Sequence, residues 1–231
     1  MGQQVARARN GHETRAKIVR AAAEAIDRSG YTATSVTTLV ESIGITKGAF
    51  YFHFPAKQDL AVAVVDAMHA GWAPAVQQWA ASEADPVTVA LGLLDELVLR
   101  ASSDVVARAG IRLTVERELT DAGLLDPFPE WERMITHLLH RAQRGGLLRE
   151  GISPATAAHV LVFGVLGEII ATGHTSDPDV LRSRTDVLLG LVVPACTVET
   201  WAEQWRLSGW AGRSLPLLSD PDRGAGCRRA G

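Results

Sequence analysis

SVTTLVESIGITKGAFYFHFPAK, residues 35–57, is the stretch from which the fold can be read. Within it Val36, Leu39, Val40 and Ile43 repeat at the spacing of a helix face, with Ser35 placed to cap the start and Gly44 to stop it. Gly44-Ile45-Thr46 is too short for two helices to fold back side by side, and its glycine permits the tight turn of a helix-turn-helix. With Thr46 capping the next helix, Phe50 and Phe54 lie one turn apart on an inner face, while Lys47, Gly48 and Tyr51 project from the other. Small residues at 48 and 49 let this helix approach a major groove closely, and its N-terminal dipole favours phosphate. Tyr51, His53 and Lys57 are then donors to a DNA backbone, Lys47 the candidate for a base edge, and Thr37 and Thr38 additional phosphate contacts. A plain helical pair with an aromatic core accounts for Phe50 and Phe54. It does not account for the basic, hydroxyl-rich face opposite them.

Helical periodicity continues in both directions. From Thr14, the positions Ile18, Ala21, Ala22, Ala25 and Ile26 form an apolar stripe that Gly30 closes. A fourth helix begins near Pro55–Lys57 and turns Leu60, Val64 and Val65 inward. Beyond Trp72, Leu91, Leu94, Leu97 and Val98 mark one helix, Val106 to Leu119 another, and Trp131, Ile135, Leu138, Leu139 and Ala142 a third. Ser153-Pro154, a capping serine followed by proline at the first helical position, starts a helix carrying Leu161, Val162, Val165, Leu166, Ile169 and Ile170. The last presents Leu181, Leu188, Leu191, Val192 and Ala195. No β-period alternation competes, so the fold class is all-α.

Composition narrows the function. The chain has 231 residues, 47% hydrophobic and 21% charged, which is the profile of a soluble globular protein. Its 23 basic and 26 acidic residues are unevenly placed: eight and four of them fall in residues 1–58, giving +4, and the other 15 and 22 give −7. One basic end on an acidic body suits a chain that offers that end to a polyanion. Cys196 and Cys227 have neither a metal-ligand spacing nor that of a disulfide framework. His137 and His140 are three apart on a predicted helix without further ligands nearby, so no metal is expected, and no cofactor either. MGQQVARARNG lacks the apolar run of a signal peptide, and the apolar stretch near 157–171 contains His159 and Glu168 and reads as too short to span a bilayer. A cytoplasmic protein without a membrane partner is expected. An enzyme would need more than Glu116, Glu118, Asp121 and Glu132, which read as a solvated face, because no nucleophile elbow, phosphate loop or His-Glu-x-x-His motif occurs.

Thr14 to Leu60 resembles the DNA-binding domain of the TetR family of bacterial repressors. Thr46 to Phe54 (TKGAFYFHF), then Lys57 and Leu60-Ala61, together with Gly30 to Val36 (GYTATSV), resemble its γ-butyrolactone receptor branch. That resemblance implies a homodimeric repressor of secondary metabolism, with a helix-turn-helix domain over 1–58 and a ligand-binding and dimerisation domain over 59–210, while the Gly, Pro, Arg and Asp that follow Trp210 predict a flexible tail over 211–231. It implies a double-stranded operator with inverted half-sites, contacted by Ser35, Thr37, Thr46, Lys47, Gly48, Tyr51, His53 and Lys57, with an arm bearing Arg7 and Arg9 on the adjacent backbone. Ala56 stands where the branch commonly has serine, and cannot cap the fourth helix.

The resemblance also points to Trp131, after the Asp126–Glu130 turn, as the main ligand contact, with Met68, Leu94, Val98, Val115 and Val165 completing a pocket. Met68 replaces a polar partner, often glutamine, on the fourth helix, and Val165 replaces another. A buried carbonyl or hydroxyl would lose its partner there, so the expected ligand is a butenolide, a furan or an antibiotic intermediate rather than a typical butyrolactone. A diverged pseudo-receptor is the alternative. The last two long helices are apolar on more than one face, and the family places its dimer interface there, at Leu161, Ile169, Leu188 and Val192.

Overall fold

A computed structural model describes residues 2–115, 128–172 and 178–208. They form ten helices: α1 (Gly2–Ser29), α2 (Val36–Ile43), α3 (Lys47–His53), α4 (Lys57–Ala80), α5 (Pro86–Ser103), α6 (Val105–Val115), α7 (Phe128–Arg144), α8 (Pro154–Thr172), α9 (Pro178–Cys196) and α10 (Glu199–Ser208). The only β-type pairing among the described residues is an isolated bridge joining Leu148 and Thr197. Glu116, Glu118, Asp121, the end of the expected Val106–Leu119 helix and the 211–231 tail lie outside the described residues.

The chain divides into two compact units, and the division falls inside α4, after Ala73. Pro74 sits there and cannot donate the backbone bond that an α-helix expects at that position. The first unit holds residues 1–73, 99–129 and 169–179. In it α1 packs on α2 and α6, and α2 packs on α3, around Ile18, Ile26, Leu39, Phe50, Phe54 and Val64. Gly30 (φ 82°) ends α1 and Gly44 (φ 69°) ends α2 in the left-handed conformation that glycine adopts without strain. The Gly44 N–H bonds the Glu41 carbonyl, and the Ile45 N–H bonds that of Val40, so the last carbonyls of α2 are satisfied as the turn is made.

The second unit holds residues 74–98, 130–168 and 180–231. Its core includes Leu94, Ile135, Leu139, Val162, Val165 and Leu189. Asp85 caps α5 by accepting from the Val87 and Thr88 N–H groups. Ser153 caps α8 through the Thr156 N–H, at the expected start. The α7–α8 loop is tied to the α9–α10 junction: the Arg149 N–H donates to the Cys196 carbonyl and the Val198 N–H to that of Leu147. Arg149 adds a side-chain bond to the Thr197 carbonyl and an ion pair with Glu199.

Three elements differ from expectation. The segment with Arg7 and Arg9 is part of α1 rather than a separate arm. Its Gln, Ala and Arg residues favour helix without any apolar stripe, so periodicity cannot detect it. α10 follows α9 as a helix of its own. Finally, α8 has 19 residues and a mean hydropathy of 1.7, so it does meet the length and composition of a membrane span. The same test is met by a core helix, and the buried Leu161, Val162 and Val165 are consistent with that role.

Candidate functional site

The candidate nucleic-acid surface is built on α3. Thr46 takes the N-cap position, and its Oγ1 accepts from the Ala49 N–H at 3.1 Å. Phe50 (0% exposed) and Phe54 (1%) anchor the helix inward with their rings 5.9 Å apart. The Arg15 guanidinium lies 5.0 Å from the centre of the Phe54 ring. The 100° step per residue then turns Lys47, Gly48, Tyr51 and Phe52 outward. Tyr51 is half exposed, its ring edge-on to Phe50. On α2, Thr37 and Ser35 are also exposed. Ser35 occupies the N-cap position, but its side chain makes no capping bond. The expected donors Ser35, Thr37, Thr46, Lys47, Gly48 and Tyr51 therefore all lie on the surface of this unit, with His53 half-buried.

Gly48 has no internal reason to be glycine. A Cβ there would meet only Thr46 Oγ1, at an ordinary 3.8 Å. Glycine inside a helix costs about 0.5–1 kcal/mol relative to alanine, and packing within the protein does not account for that cost. Gly48→Ala is accordingly expected to raise the thermal midpoint of the protein while weakening operator binding. Paired melting and DNA-titration curves check both signs, and unchanged DNA affinity would refute the close approach.

Phe52 was not anticipated. At 83% exposed it is an aromatic ring held in water on the same helix as the donors. The signal was present in the sequence, because Phe50 and Phe54 inward on a helix force Phe52 to the opposite side. An exposed ring is an apolar group of the kind that meets thymine methyls in major grooves.

Lys57 makes contacts within the protein that the sequence does not announce. Its Nζ donates to the Tyr31 carbonyl at 2.6 Å and to that of Thr32 at 3.4 Å, and lies 4.2 Å from the centre of the Tyr31 ring. The ammonium therefore braces the α1–α2 turn, which Thr34 also tightens through a buried bond to the Gly30 carbonyl. A lysine on phosphate contributes about 0.9 to the slope of log affinity against log salt. Lys57→Met is expected to lower operator affinity and stability with that slope unchanged, and a slope reduced by about one would restore the phosphate role. Ala56, unable to cap α4 itself, is compensated: the Asp59 carboxylate accepts from the Ala56 N–H at 2.8 Å, one half of a capping box.

The six pocket candidates are distributed over both units. Trp131, Leu94, Val98 and Val165 are buried in the second. Met68 is buried in the first, where it packs on α6: a Cβ at Gly110 would come within 2.6 Å of its Sδ. Val115 is half-buried. A cavity of about 330 Å³ lies within the second unit, lined by Trp79, Leu93 and Leu138 among others. None of the six lines it. Among the described residues no group of three metal-ligating side chains occurs. Cys196 is a half-buried free cysteine whose thiol pKa is raised by burial, which disfavours thiolate chemistry.

The four dimer candidates differ in their exposure. Leu161 and Ile169 are buried within the protomer, at 4% and 8% exposure, and Leu188 packs against Gly164. The exposed apolar side chains of the second unit on these helices are Val160 and Phe163 on α8 and Val180, Val187 and Leu191 on α9. Val192 is half-buried beside Leu191.

A turn-linked helix pair that buries its aromatics and exposes donors, within an all-helical chain, defines a helix-turn-helix DNA-binding regulator. The model for bacterial regulatory proteins of the tetR family matches residues 18–64. A structure solved for the molecular basis of control of antibiotic production by bacterial hormones is 34% identical, with a TM-score of 0.71 over 80% of this chain and 98% of that one. The TetR-family protein CprB of Streptomyces coelicolor, in complex with its operator, is 27% identical, with a TM-score of 0.74 over 86% of this chain and 95% of that one. The A-factor receptor protein of Streptomyces griseus is 25% identical over 79% of this chain, and the match spans 63% of that protein. The chain belongs to the tetR family of bacterial regulatory proteins.

Proposed function

We propose that the protein is a homodimeric repressor that holds an operator of two inverted half-sites and leaves it when a small hydrophobic signalling molecule binds. The observation that carries this reading is α3 itself, where exposed Lys47, Tyr51 and Phe52 flank a glycine that internal packing does not require. Residues 1–58 act as the DNA-binding part, with Ser35, Thr37, Thr46, Lys47, Gly48, Tyr51 and His53 as contacts and Lys57 as their brace. Residues 59–210 carry the ligand and dimer functions, and the protein works in the cytoplasm, on the chromosome.

The ligand is taken to be a γ-butyrolactone, butenolide, furan or antibiotic intermediate, received in the second unit near Trp131, Leu94, Val98 and Val165. Supporting this are the branch that Thr46–Phe54 resembles and two relatives described as a receptor and as a control on antibiotic production by hormones. The indole of Trp131 offers a flat apolar face and one donor, which suits such a ring. The regulated genes would then belong to secondary metabolism.

The test is fluorescence anisotropy of the full chain on its own upstream DNA against a scrambled duplex at fixed salt. A preference of about a thousandfold or more, falling steeply with salt, is expected. Equal, weak binding to both duplexes contradicts operator recognition at that site.

A further inference from the structure

α3 holds one exposed group that attraction to a polyanion does not ask for. The helix presents two lines of exposed residues, Lys47 with Tyr51 and Gly48 with Phe52, each pair four apart and so stacked on one face. Lys47 and Tyr51 are donors, and no acidic residue occurs between Glu41 and Asp59. Phe52 has neither charge nor donor, yet its ring is 83% exposed. It cannot turn onto the core, because Phe50 and Phe54 occupy the inward side of the same short helix. The half-buried His53 ring stands edge-on to it, with centroids 5.2 Å apart and planes at 81°. The ring is thus braced on the protein side while most of its surface stays in water.

Few parts of a DNA duplex match such a ring. Phosphates are charged, and the base edges of the major groove carry hydrogen-bonding groups with one exception, the C5 methyl of thymine. Deoxyribose carbons are also apolar, but they are the same at every base pair. Gly48 favours the methyl. A Cβ there would meet no protein atom nearer than Thr46 Oγ1 at 3.8 Å, so the turn preceding Phe52 is bare for reasons outside the protein. A bare turn lets this line of the helix, and the ring it carries, reach the depth of the base edges.

We infer that Phe52 is a specificity-determining residue whose ring packs on the C5 methyl of one thymine in each operator half-site. That role rests on the reading of α3 as the operator-binding helix and adds a base to it. Each half-site carries a thymine that the ring selects over any base lacking the methyl, beside the hydrogen-bonding contacts of Lys47 and Tyr51.

The test replaces thymines of the chain's own upstream duplex with deoxyuridine, one symmetric pair at a time. The full-length parent, Phe52→Ala and Phe52→Leu are titrated against each duplex by anisotropy at fixed salt. Deoxyuridine keeps every hydrogen-bonding group of thymine and lacks the methyl. With the parent, one symmetric pair is expected to lose affinity about fourfold per half-site and about 15-fold together. Phe52→Ala should bind the unmodified duplex about 15-fold or more weakly than the parent does. It should be indifferent to deoxyuridine at that one pair, within about twofold, the coupling expected of two groups in direct contact. Phe52→Leu, apolar but smaller, should retain part of the parent's loss. Phe52 is exposed, so neither change threatens the fold. A parent insensitive to deoxyuridine at every thymine, or a Phe52→Ala that keeps the parent's loss at each of them, would overturn the assignment. So would a Phe52→Ala defect of equal size on a scrambled duplex, which would make the ring a sequence-blind contact with sugars. A parent with no preference for the unmodified duplex over the scrambled one removes the operator reading itself, and this role with it. That failure is seen before any deoxyuridine is introduced, so the two are told apart.

Discussion

Leu191→Asp combined with Val187→Asp is expected to convert the protein from a dimer to a monomer in sedimentation and to weaken operator binding by about 100- to 10,000-fold. Val187 and Leu191 are 65% and 72% exposed and sit one turn apart on α9. On α8, Val160 and Phe163 present a similar pair in the same unit. Large apolar side chains grouped at helical spacing and left in water mark a surface that a partner covers. Placing two carboxylates in such a contact forces them to be buried without counter-charges, which association cannot recover. The DNA effect follows from geometry. A two-fold dimer engages two half-sites together, and the second contact enjoys a high effective concentration that a monomer lacks, typically worth 10²–10⁴ in apparent affinity. A variant that stays dimeric would move the interface off this face. Leu161→Asp makes the contrast, because Leu161 is 4% exposed and its loss should unfold the protomer rather than split the dimer.

That contrast also marks where the sequence stopped being legible. On α2 and α3 polar and apolar positions alternate sharply, so the inward Phe50 and Phe54, the Thr46 cap and the Gly44 stop were all readable from spacing. α8 is apolar nearly all round. Without a polar stripe the helical period has no phase, so Leu161 and Ile169 could not be distinguished from Val160 and Phe163 as the outward residues. The internal contact of Lys57 was illegible for another reason. Its role depends on the Tyr31 carbonyl, 26 residues earlier in the chain, and a basic residue after a recognition helix looks the same whether it faces phosphate or a turn. The cavity at Trp79 was invisible likewise, since it exists only where α4, α5 and α7 converge and where Gly92 makes room for an indole.

The longest-range feature of the first unit yields the other large expectation. Arg108 Nε meets the Asp27 carboxylate at 3.0 Å, and Arg112 Nη1 donates to the carbonyls of Ile26 and Asp27 at 3.1 and 2.8 Å. Two arginines one turn apart on α6 thus hold the C-terminal end of α1, the end whose dipole is negative, where the Ile26 carbonyl also accepts from the Gly30 N–H. Arg108 also reaches the Ala101 and Ser102 carbonyls near the end of α5. α1 in turn packs on α2, and α2 on α3, so the clamp is joined to the operator face through packed helices. Ligand-dependent release requires some element to carry a bias from one part of the protein to another, and among the described residues this clamp is a charged, directional contact able to do so. Arg108→Met with Arg112→Met should destabilise the protein by about 2–4 kcal/mol, the scale of charged hydrogen bonds that are partly solvated. It should also bring the ligand's effect on DNA affinity, about 5–150-fold in systems of this kind, down towards one while ligand binding persists. The measurement is a full linkage cycle: operator titrations with and without the releasing ligand, and ligand titrations with and without operator, for parent and double variant. An undiminished coupling factor would send the signal through α4 instead, whose first turn braces the α1–α2 turn through Lys57.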